Sequence, residues 1–223
     1  MATITRREAG IGLVTAASLA AAGAWPAAAA AAAQAIELPQ PATGGGKTLA
    51  EALRARRSTR EFTSEALSLA VLSGLLWSAY GINRPQSGDR TAPSWRHSIE
   101  QKIYLALPDG VWLYDPVEHR LLPHLAADLR ALTGTQDFVG TAPLNLVYVA
   151  DGAGMGDVSA EEKRLYAFTD TGFIGQNVYL FCAAAGLATV FRGSLERDKL
   201  GKALQLPGEQ FVTFAQTVGY PKT

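Results

Sequence analysis

Three arginines and two hydroxyl residues occupy five consecutive positions in the run Arg56-Arg57-Ser58-Thr59-Arg60. Guanidinium groups bind a phosphate through paired N–H donors, and hydroxyls fill the positions that remain around it. The alternative is an exposed basic helix end, which the helix dipole favours without any ligand. This run therefore predicts either a phosphate site or a solvated helix terminus.

A second stretch that could carry chemistry is the turn Pro93-Ser94-Trp95-Arg96-His97. Proline fixes the backbone, and the Ser94 hydroxyl with the amides that follow can meet the polar edge of a flat heterocycle. The bulky residues Trp95, Arg96 and His97 either shape the open side of such a ligand or turn outward and pack against a loop. His97 titrates near neutral pH, which suits a catalytic donor, but a lone histidine beside a tryptophan also occurs as a structural residue.

The elements that must position these stretches begin with two helices. Thr48 to Glu51 is a capping-box sequence, so a short helix should run from there to about Arg56. A second helix is predicted over residues 65–80, with Ser68 as a possible cap and Gly81 as its stop. The arginine run then follows the first helix directly.

Apolar and β-branched runs predict the strands of a sheet. Residues 102–107 and 111–114 flank a Pro-Asp-Gly turn and should form a hairpin. Residues 144–150 and 211–221 have the composition of buried strands. Two further helices are predicted near residues 125–132 and 195–204.

A long apolar helix is predicted to begin near Ala160 and to end at Gly186, with a short strand over residues 189–193 after it. Small residues along this helix let another surface approach its backbone closely, and Gln176 with Asn177 places two amides among apolar neighbours. A buried core helix is the plain interpretation. A helix that packs against a partner or a ligand is the alternative.

Composition limits the functions that are open to the chain. With 223 residues, 48% hydrophobic and 18% charged, it can form one domain with a sizeable core. The formal net charge of +0 gives no basic field for nucleic acid. The single cysteine, Cys182, excludes an internal disulfide, and His119 and His124 lack the neighbours that a metal site needs.

The first 35 residues look like a twin-arginine export signal. Arg6 and Arg7 precede an alanine-rich run, and Ala33-Gln34-Ala35 offers a small-residue cleavage site. A membrane anchor is the alternative, but Pro26 and the weak hydrophobicity argue against a stable span. Residues 36–47 are predicted to be a flexible lead-in to a domain over residues 48–223, located in the periplasm or otherwise exported.

The glycines at 152, 154 and 156 follow a predicted strand, as in a dinucleotide-binding loop. Their spacing is G-x-G-x-G, however, and Val158 stands where a third glycine would have to admit the helix. We interpret residues 151–157 as a flexible loop, with a lid as one possible role.

Four motifs resemble the FMN-dependent nitroreductase family, close to the branch that contains the dehydrogenases of thiazole/oxazole-modified peptide biosynthesis. They are the arginine run, the Pro93-Ser94 turn, the helix with Gln176-Asn177 that leads into Gly186 and a strand, and the ending Gly219-Tyr220-Pro221. The segment over residues 76–83 also looks like the second helix of that family. The resemblance covers residues 48–222 in the family's order.

The resemblance implies an α+β fold with a mixed, largely antiparallel sheet, helices on both faces, and a homodimer whose interface contains FMN. It places the phosphate and ribityl end of FMN among the arginine run, and the isoalloxazine ring between the proline-serine turn, the long helix and the strand after it. The cofactor-binding residues it implies are Arg56, Arg57, Ser58, Arg60, Pro93, Ser94, Gln176, Val190, Phe191, Gly193 and Lys222.

The function that the resemblance implies is ping-pong hydride transfer through flavin N5 to small nitroaromatic or quinone-type acceptors. NAD(P)H is the expected electron donor, but export would make nicotinamides scarce, so another donor is also open. The alternatives are a dehydrogenase that oxidises a small molecule or peptide azoline, and a non-catalytic flavin-binding protein in which Trp95 fills the substrate face. His97 is the candidate catalytic residue, and Arg192 is either a partner for a substrate carboxylate or nitro group or part of a surface ion pair.

Overall fold

The computed structural model describes residues 34–42 and 46–222, and in this part of the chain helices cover a seven-stranded sheet. The helices are α1 (Leu49–Ala55), α2 (Leu69–Tyr80), α3 (Ala160–Ala185) and α4 (Arg197–Ala203). The strands are β1 (Ile36–Glu37), β2 (Ile82–Arg84), β3 (Asp89–Arg90), β4 (Gln101–Leu107), β5 (Gly110–Asp115), β6 (Arg120–Leu125), β7 (Leu144–Asp151), β8 (Ala188–Arg192) and β9 (Gln210–Gly219).

The large sheet has the strand order β1-β6-β5-β4-β7-β9-β8, and every neighbouring pair in it is antiparallel. The hairpin of β4 and β5 closes with Leu107 opposite Gly110, as predicted. Strands β2 and β3 form a separate two-stranded ribbon. The predicted α+β class with an antiparallel sheet is confirmed, and the antiparallel pairing of β7 leaves no place for a dinucleotide-binding βαβ unit.

Alternating side chains of the central strands bury the two faces of the sheet separately. On β7, Leu146 and Tyr148 join the core beneath α2 and α3. Val147 and Val149 point to the other face, where Leu200 of α4 packs with them. Helices therefore cover both faces, and the larger core lies on the α3 side.

Local capping explains where the two functional helices begin. The Thr48 hydroxyl accepts the Glu51 N–H at 3.3 Å, and the Glu51 carboxylate accepts the Thr48 N–H at 2.8 Å, so the predicted capping box of α1 is confirmed. Ser159 and Glu162 form a second capping box at the start of α3. Gly186 ends α3 in the left-handed region, with φ of 73°, as its position predicted.

The predicted helix over residues 125–132 is wrong. Arg120–Leu125 is strand β6, and only a short 3₁₀ helix forms afterwards, at Arg130–Thr133. Pro123 lies in this strand opposite Trp112, beside an irregularity in the register of β5 and β6. A proline is tolerated in a strand at such a position because one ladder hydrogen bond is already interrupted there.

The flexible lead-in predicted over residues 36–47 also differs from the structure. Ile36–Glu37 pairs with β6, Leu38 is buried, and the Leu38 N–H donates to the His119 carbonyl at 3.2 Å. The Ser73 hydroxyl of α2 donates to the Pro39 carbonyl. The start of this segment is thus part of the sheet. The predicted export signal at Arg6 and Arg7, and residues 43–45, lie outside the described residues.

The glycine-rich stretch after β7 is packed against the body of the protein. Gly152–Met155 forms a 3₁₀ helix, and the Asp151 carboxylate accepts the Ala153 N–H. Met155 is 4% exposed and packs with Ala167 of α3, so this stretch is not the flexible loop that its glycines suggested. Within residues 34–42 and 46–222, no helix is long and apolar enough to cross a membrane, and no group of side chains could hold a metal ion.

Candidate functional site

The arginine run follows α1 and lies against the C-terminal half of α3 and the start of β8. Arg56 caps the end of α1 through its N–H, which donates to the Ala52 carbonyl at 2.8 Å. The Thr59 N–H donates to the Thr189 carbonyl at 2.9 Å, and the Ser58 hydroxyl lies 2.7 Å from the Tyr179 hydroxyl. These contacts hold the run in an extended conformation across the end of α3.

The cations of this run have no carboxylate partner. Arg57 and Arg60 are exposed, and Arg56 is half-buried with its guanidinium 5.2 Å from the centre of the Tyr179 ring. Among the described residues, none of the three forms an ion pair. Their N–H donors are therefore available to an anion, which is the arrangement that a bound phosphate requires.

The C-terminal tail runs beside the same segment. The Thr63 N–H donates to the Tyr220 carbonyl at 3.0 Å, and the Lys222 N–H donates to the Glu61 carbonyl at 3.2 Å. Lys222 is exposed. The structure thus brings Lys222 next to the arginine run, although more than 160 residues separate them in the sequence.

A cavity of about 350 Å³ lies between this run and the end of α3. Arg57, Lys47 and Tyr179 are among its lining residues, and the Lys47 ammonium donates to the Ala183 carbonyl at 2.7 Å. Tyr179 is the residue that sequence reasoning missed here. Its hydroxyl contacts Ser58 and accepts the Phe191 N–H at 2.9 Å, so it connects the arginine run to β8.

The strand after α3 carries three of the predicted cofactor-binding residues. Val190 is buried, Phe191 is half-buried and Gly193 is exposed. The Phe191 ring packs so closely on α3 that a Cβ at Gly175 would lie 2.5 Å from it. Gln176, the next residue of α3, is exposed on the same stretch of the helix.

The proline-serine turn lies farther toward the N-terminal half of α3. Pro93 is exposed and Ser94 is half-buried, with its hydroxyl accepting the Ile99 N–H at 3.3 Å. Trp95 stacks on Tyr166 of α3, with ring centres 4.5 Å apart and an angle of 17° between the planes. The Arg96 guanidinium lies 4.6 Å from the centre of the Trp95 ring. Trp95 therefore packs on the central helix and not on a loop.

His97 does not enter a buried pocket. Its side chain is 84% exposed, and its Nδ1 lies 3.5 Å from an Asp89 carboxylate oxygen. Beside it, a cavity of about 100 Å³ is lined by Pro93, Ser94, Arg90 and other residues of the turn. His97 is thus at the rim of the proline-serine turn, where an exposed imidazole can reach a ligand only from the solvent side.

Arg192 corrects both interpretations that the sequence allowed. It is 4% exposed and lies on the face of β8 opposite Phe191, away from any ion pair or substrate position. Burial lowers the pKa of Arg192 to about 10, so the side chain is still charged at neutral pH. Its guanidinium donates to neutral oxygens only: the Thr133 carbonyl at 2.7 Å, Asn145 Oδ1 at 3.0 Å and Thr217 Oγ1 at 3.1 Å.

Asp170 is a second residue that sequence reasoning did not assign. It lies inside α3, ten residues after the start of the helix, and its carboxylate accepts the Trp95 N–H at 2.7 Å. Burial, with a further contribution from the neighbouring Glu100, raises the pKa of Asp170 to about 6. A lone acid in an apolar helix was the available signal, but its partner in the turn could not be read from spacing.

The arginine run and the proline-serine turn contact the same helix at two levels. Tyr179 marks one level and Asp170 the other, nine residues apart, which is about 14 Å along an α-helix. Phe191 and Gln176 lie between them. The predicted residues therefore line a strip along α3 with cations at one end and a proline-serine turn at the other.

This strip belongs to a known fold. Residues 53–220 match the model of the nitroreductase family. The chain belongs to the nitroreductase family. A candidate nitroreductase from Ralstonia eutropha, solved as a crystal structure, is 42% identical to this nitroreductase-family chain with a TM-score of 0.81, and the match covers 85% of this chain and 90% of that one.

Two further relatives extend the comparison. A candidate nitroreductase from Methanocaldococcus jannaschii is 29% identical over 168 residues, which cover 71% of this nitroreductase-family chain and 84% of the relative. The NADPH:FMN oxidoreductase from Vibrio harveyi, solved with NAD⁺, shares the fold with a TM-score of 0.58 at 22% identity, covering 78% of this chain and 69% of that one.

Proposed function

We propose that this chain is an FMN-dependent oxidoreductase that reduces nitroaromatic or quinone-type acceptors. The observation that carries the proposal is the arginine run, whose cations have no carboxylate partner among the described residues and are held at the end of α3 through Ser58 and Tyr179. Family membership and the flavin-dependent Vibrio harveyi neighbour support the same assignment.

The residues of this chain fit the chemistry of FMN. Arg56, Arg57, Ser58, Arg60 and Lys222 would hold the phosphate and ribityl end, because they combine free guanidinium and ammonium donors with a hydroxyl on one surface. Pro93, Ser94, Gln176, Val190, Phe191 and Gly193 would contact the ring. When bound, FMN would supply hydride transfer at N5 in two successive half-reactions.

The protein groups contribute position more than proton transfer. Tyr179 ties the phosphate end to β8 through its bonds to Ser58 and the Phe191 N–H, so both ends of the site move as one unit. We assign ring recognition to backbone amides near Ser94 and Gly193. Trp95 and the exposed His97 stand at the rim, where an acceptor would enter.

We further propose that the active form is a homodimer, which is typical of the family. An exposed stripe on α3 contains Leu165 and Phe173, which are 59% and 46% exposed, and Gln176. Leu49 and Leu53 of the adjacent α1 are also exposed. Apolar side chains of this size on two contacting helices are expected to be covered by a second copy. Light scattering of Phe173→Asp should then report monomers where the unaltered chain gives dimers.

Export and the electron donor also remain proposals. The twin-arginine sequence at Arg6 and Arg7 supports location in the periplasm. NAD(P)H is the donor that the Vibrio harveyi neighbour suggests, and a different reductant would be needed outside the cytoplasm. Replacing Arg6 and Arg7 together by lysine should retain the protein in the cytoplasm, as measured by cell fractionation.

The phosphate assignment is tested with two flavins. We expect Arg56→Ala combined with Arg60→Ala to weaken FMN binding by roughly 100-fold or more, because each charge-assisted hydrogen bond contributes about 1.5–3 kcal/mol. Riboflavin lacks the phosphate, so its affinity should stay unchanged. Arg84→Ala removes an exposed arginine that pairs with Asp89 and is the matched control. Flavin fluorescence quenching gives all the affinities.

Two outcomes would contradict the proposal. Unchanged FMN affinity in the double variant would show that the phosphate lies elsewhere. A purified protein that is colourless and refuses added FMN would remove the oxidoreductase assignment altogether. Turnover is tested separately: bleaching of the bound flavin by NADPH without oxygen, followed by recovery with a nitroaromatic, would exclude a non-catalytic flavin-binding role.

A further inference from the structure

Two buried carboxyl groups meet beneath the turn that carries Trp95 and His97. Asp170 of α3 is 4% exposed, and Glu100, at the end of the turn, is 2% exposed. The two side chains hydrogen-bond each other. They come from elements that are far apart in the sequence, so their contact is created by the fold.

The surroundings of this pair contain no neutralising cation. Among the described residues, neither carboxyl takes part in an ion pair. The titratable group from α2 is Tyr80, and the Arg90 guanidinium from β3 stacks over that tyrosine ring at 5.3 Å. The polar groups from the turn and from β4 and α3 are neutral: Ser94, Ser98, Gln101 and Thr171.

Two carboxyls that touch in a buried site cannot both be ionised, because the like charges repel and burial disfavours each charge. One proton shared between Asp170 and Glu100 resolves this conflict. The pKa of Asp170, which burial and Glu100 raise to about 6, agrees with the same arrangement.

Each carboxyl holds one end of the turn. Asp170 Oδ2 accepts the Trp95 N–H at 2.7 Å, and Glu100 Oε2 accepts the Ser98 hydroxyl at 2.7 Å. Glu100 is itself fixed by Gln101, whose amide donates to Glu100 Oε1 at 2.9 Å and to the Ala167 carbonyl at 2.9 Å. Helix α3 therefore anchors both carboxyls of the pair.

The turn needs such anchoring because its backbone is unfavourable. Arg96, His97 and Ile99 have φ of 49°, 57° and 50°, in the left-handed region that residues with a Cβ avoid. Three such residues within four positions persist only where surrounding contacts impose them. The contacts available here are mainly those to Asp170 and Glu100.

We propose that the proton shared by Asp170 and Glu100 locks the turn of residues 94–99, and that losing this proton releases the turn. Asp170 is then a positioning residue for Trp95 and His97. The lock is a property of the fold alone. Only its meaning for the entry of an acceptor rests on the proposed function.

Asp170→Asn separates the proton from the contact. Asparagine keeps an oxygen acceptor for the Trp95 N–H, and its amide N–H replaces the shared proton toward Glu100. The turn of this variant should stay locked at every pH. Glu118→Gln, in an exposed turn between β5 and β6, removes a carboxyl elsewhere and is the matched control.

The lock is tested by fluorine NMR of protein labelled with 5-fluorotryptophan, with Trp95→Phe identifying the Trp95 signal. In the unaltered chain and in Glu118→Gln, that signal should shift with a midpoint near pH 6, whereas Trp77 and Trp112 should not follow it. In Asp170→Asn the Trp95 signal should not titrate. The measurement requires no flavin, so a failure of FMN binding would leave its result intact.

Thermal unfolding gives a second readout. A carboxyl with a raised pKa stabilises the fold below its usual range, and this contribution is lost as the pH rises through about 6. Asp170→Asn should therefore gain in melting temperature relative to the unaltered chain between about pH 5 and about pH 8. Glu118→Gln should keep a constant difference across the same range.

The proposal fails if the Trp95 signal of the unaltered chain does not titrate, or if it titrates identically in Asp170→Asn. If Asp170→Asn does not fold, Glu100→Gln takes its place, because it supplies the same amide from the other side of the pair. A titrating Trp95 signal in folded Glu100→Gln, with the original midpoint, would equally overturn the shared proton.

Discussion

Arg60 is exposed and has no carboxylate partner among the described residues, whereas Arg192 is 4% exposed and all of its described hydrogen bonds go to neutral oxygens. The run that contains Arg60 lies on the surface at the end of α3, and its donors face outward. Arg192 lies on the hidden face of β8, and its donors connect β7, β9 and the 3₁₀ helix at Arg130–Thr133.

The difference shows that the surroundings, and not the residue type, decide what an arginine does in this fold. A guanidinium with free donors at the surface attracts an anion with little cost to the fold. A guanidinium whose donors are used internally stabilises the packing and cannot also bind a ligand. Changes at the two places should consequently affect different measurements.

The largest effect is expected at the buried arginine. Arg192→Met should lower the free energy of unfolding by about 3–5 kcal/mol, because the Thr133 carbonyl, Asn145 and Thr217 lose their donor inside the protein. Urea denaturation measures the change. Arg60→Met is the control and should stay within about 0.5 kcal/mol. A loss below about 1 kcal/mol for Arg192→Met would show that the two arginines are not so different.

The opposite face of the same strand gives the next largest effect. Gly175→Ala should cost about 1–3 kcal/mol, because the added Cβ would lie 2.5 Å from the Phe191 ring. Gly172 lies in the same helix with nothing within 4 Å of a Cβ, so Gly172→Ala should be neutral or slightly stabilising. Thermal unfolding of the pair measures this, and equal midpoints would mean that Phe191 moves aside freely.

Removing the tether of the arginine run should have a smaller effect on stability and a visible one on binding. Tyr179→Phe loses the hydroxyl that contacts Ser58 and the Phe191 N–H, at a cost of about 1–2 kcal/mol. FMN affinity should fall about three- to tenfold, since the run is then held less firmly. Fluorescence titration checks it, and an unchanged affinity would show that the run is positioned without Tyr179.

The smallest effect is expected at the C-terminal tail. Lys222→Ala should weaken FMN binding only about two- to fivefold, because an exposed cation contributes little in water. Lys222→Arg should keep the affinity, and both effects should shrink at high salt. Salt-independent loss, or none, would remove the tail from the phosphate site.

Features written in short stretches of sequence were predictable. The capping box of Thr48 and Glu51, the stop at Gly186 and the hairpin of β4 and β5 depend on neighbours within a few residues. The arginine run was recognisable for the same reason, since its cations and hydroxyls are adjacent. These features account for the correct order of elements and for one end of the candidate site.

Features that depend on distant partners were not predictable. Arg192 receives its acceptors from residues 25 to 59 positions away, so its sequence neighbours gave no sign that it is buried. Asp170 meets Trp95 across 75 positions. The helix predicted over residues 125–132 failed likewise, because pairing with β5 outweighed a local pattern that suits a helix.

The two-residue strand β1 has a consequence for handling this protein. Ile36–Glu37 covers the outer side of β6, whose six residues would otherwise form an open edge of the large sheet. Open edges recruit strands from other molecules and lead to aggregation. A chain shortened to begin at residue 40 would lose this cover, so its solubility should fall even though every proposed flavin contact is retained.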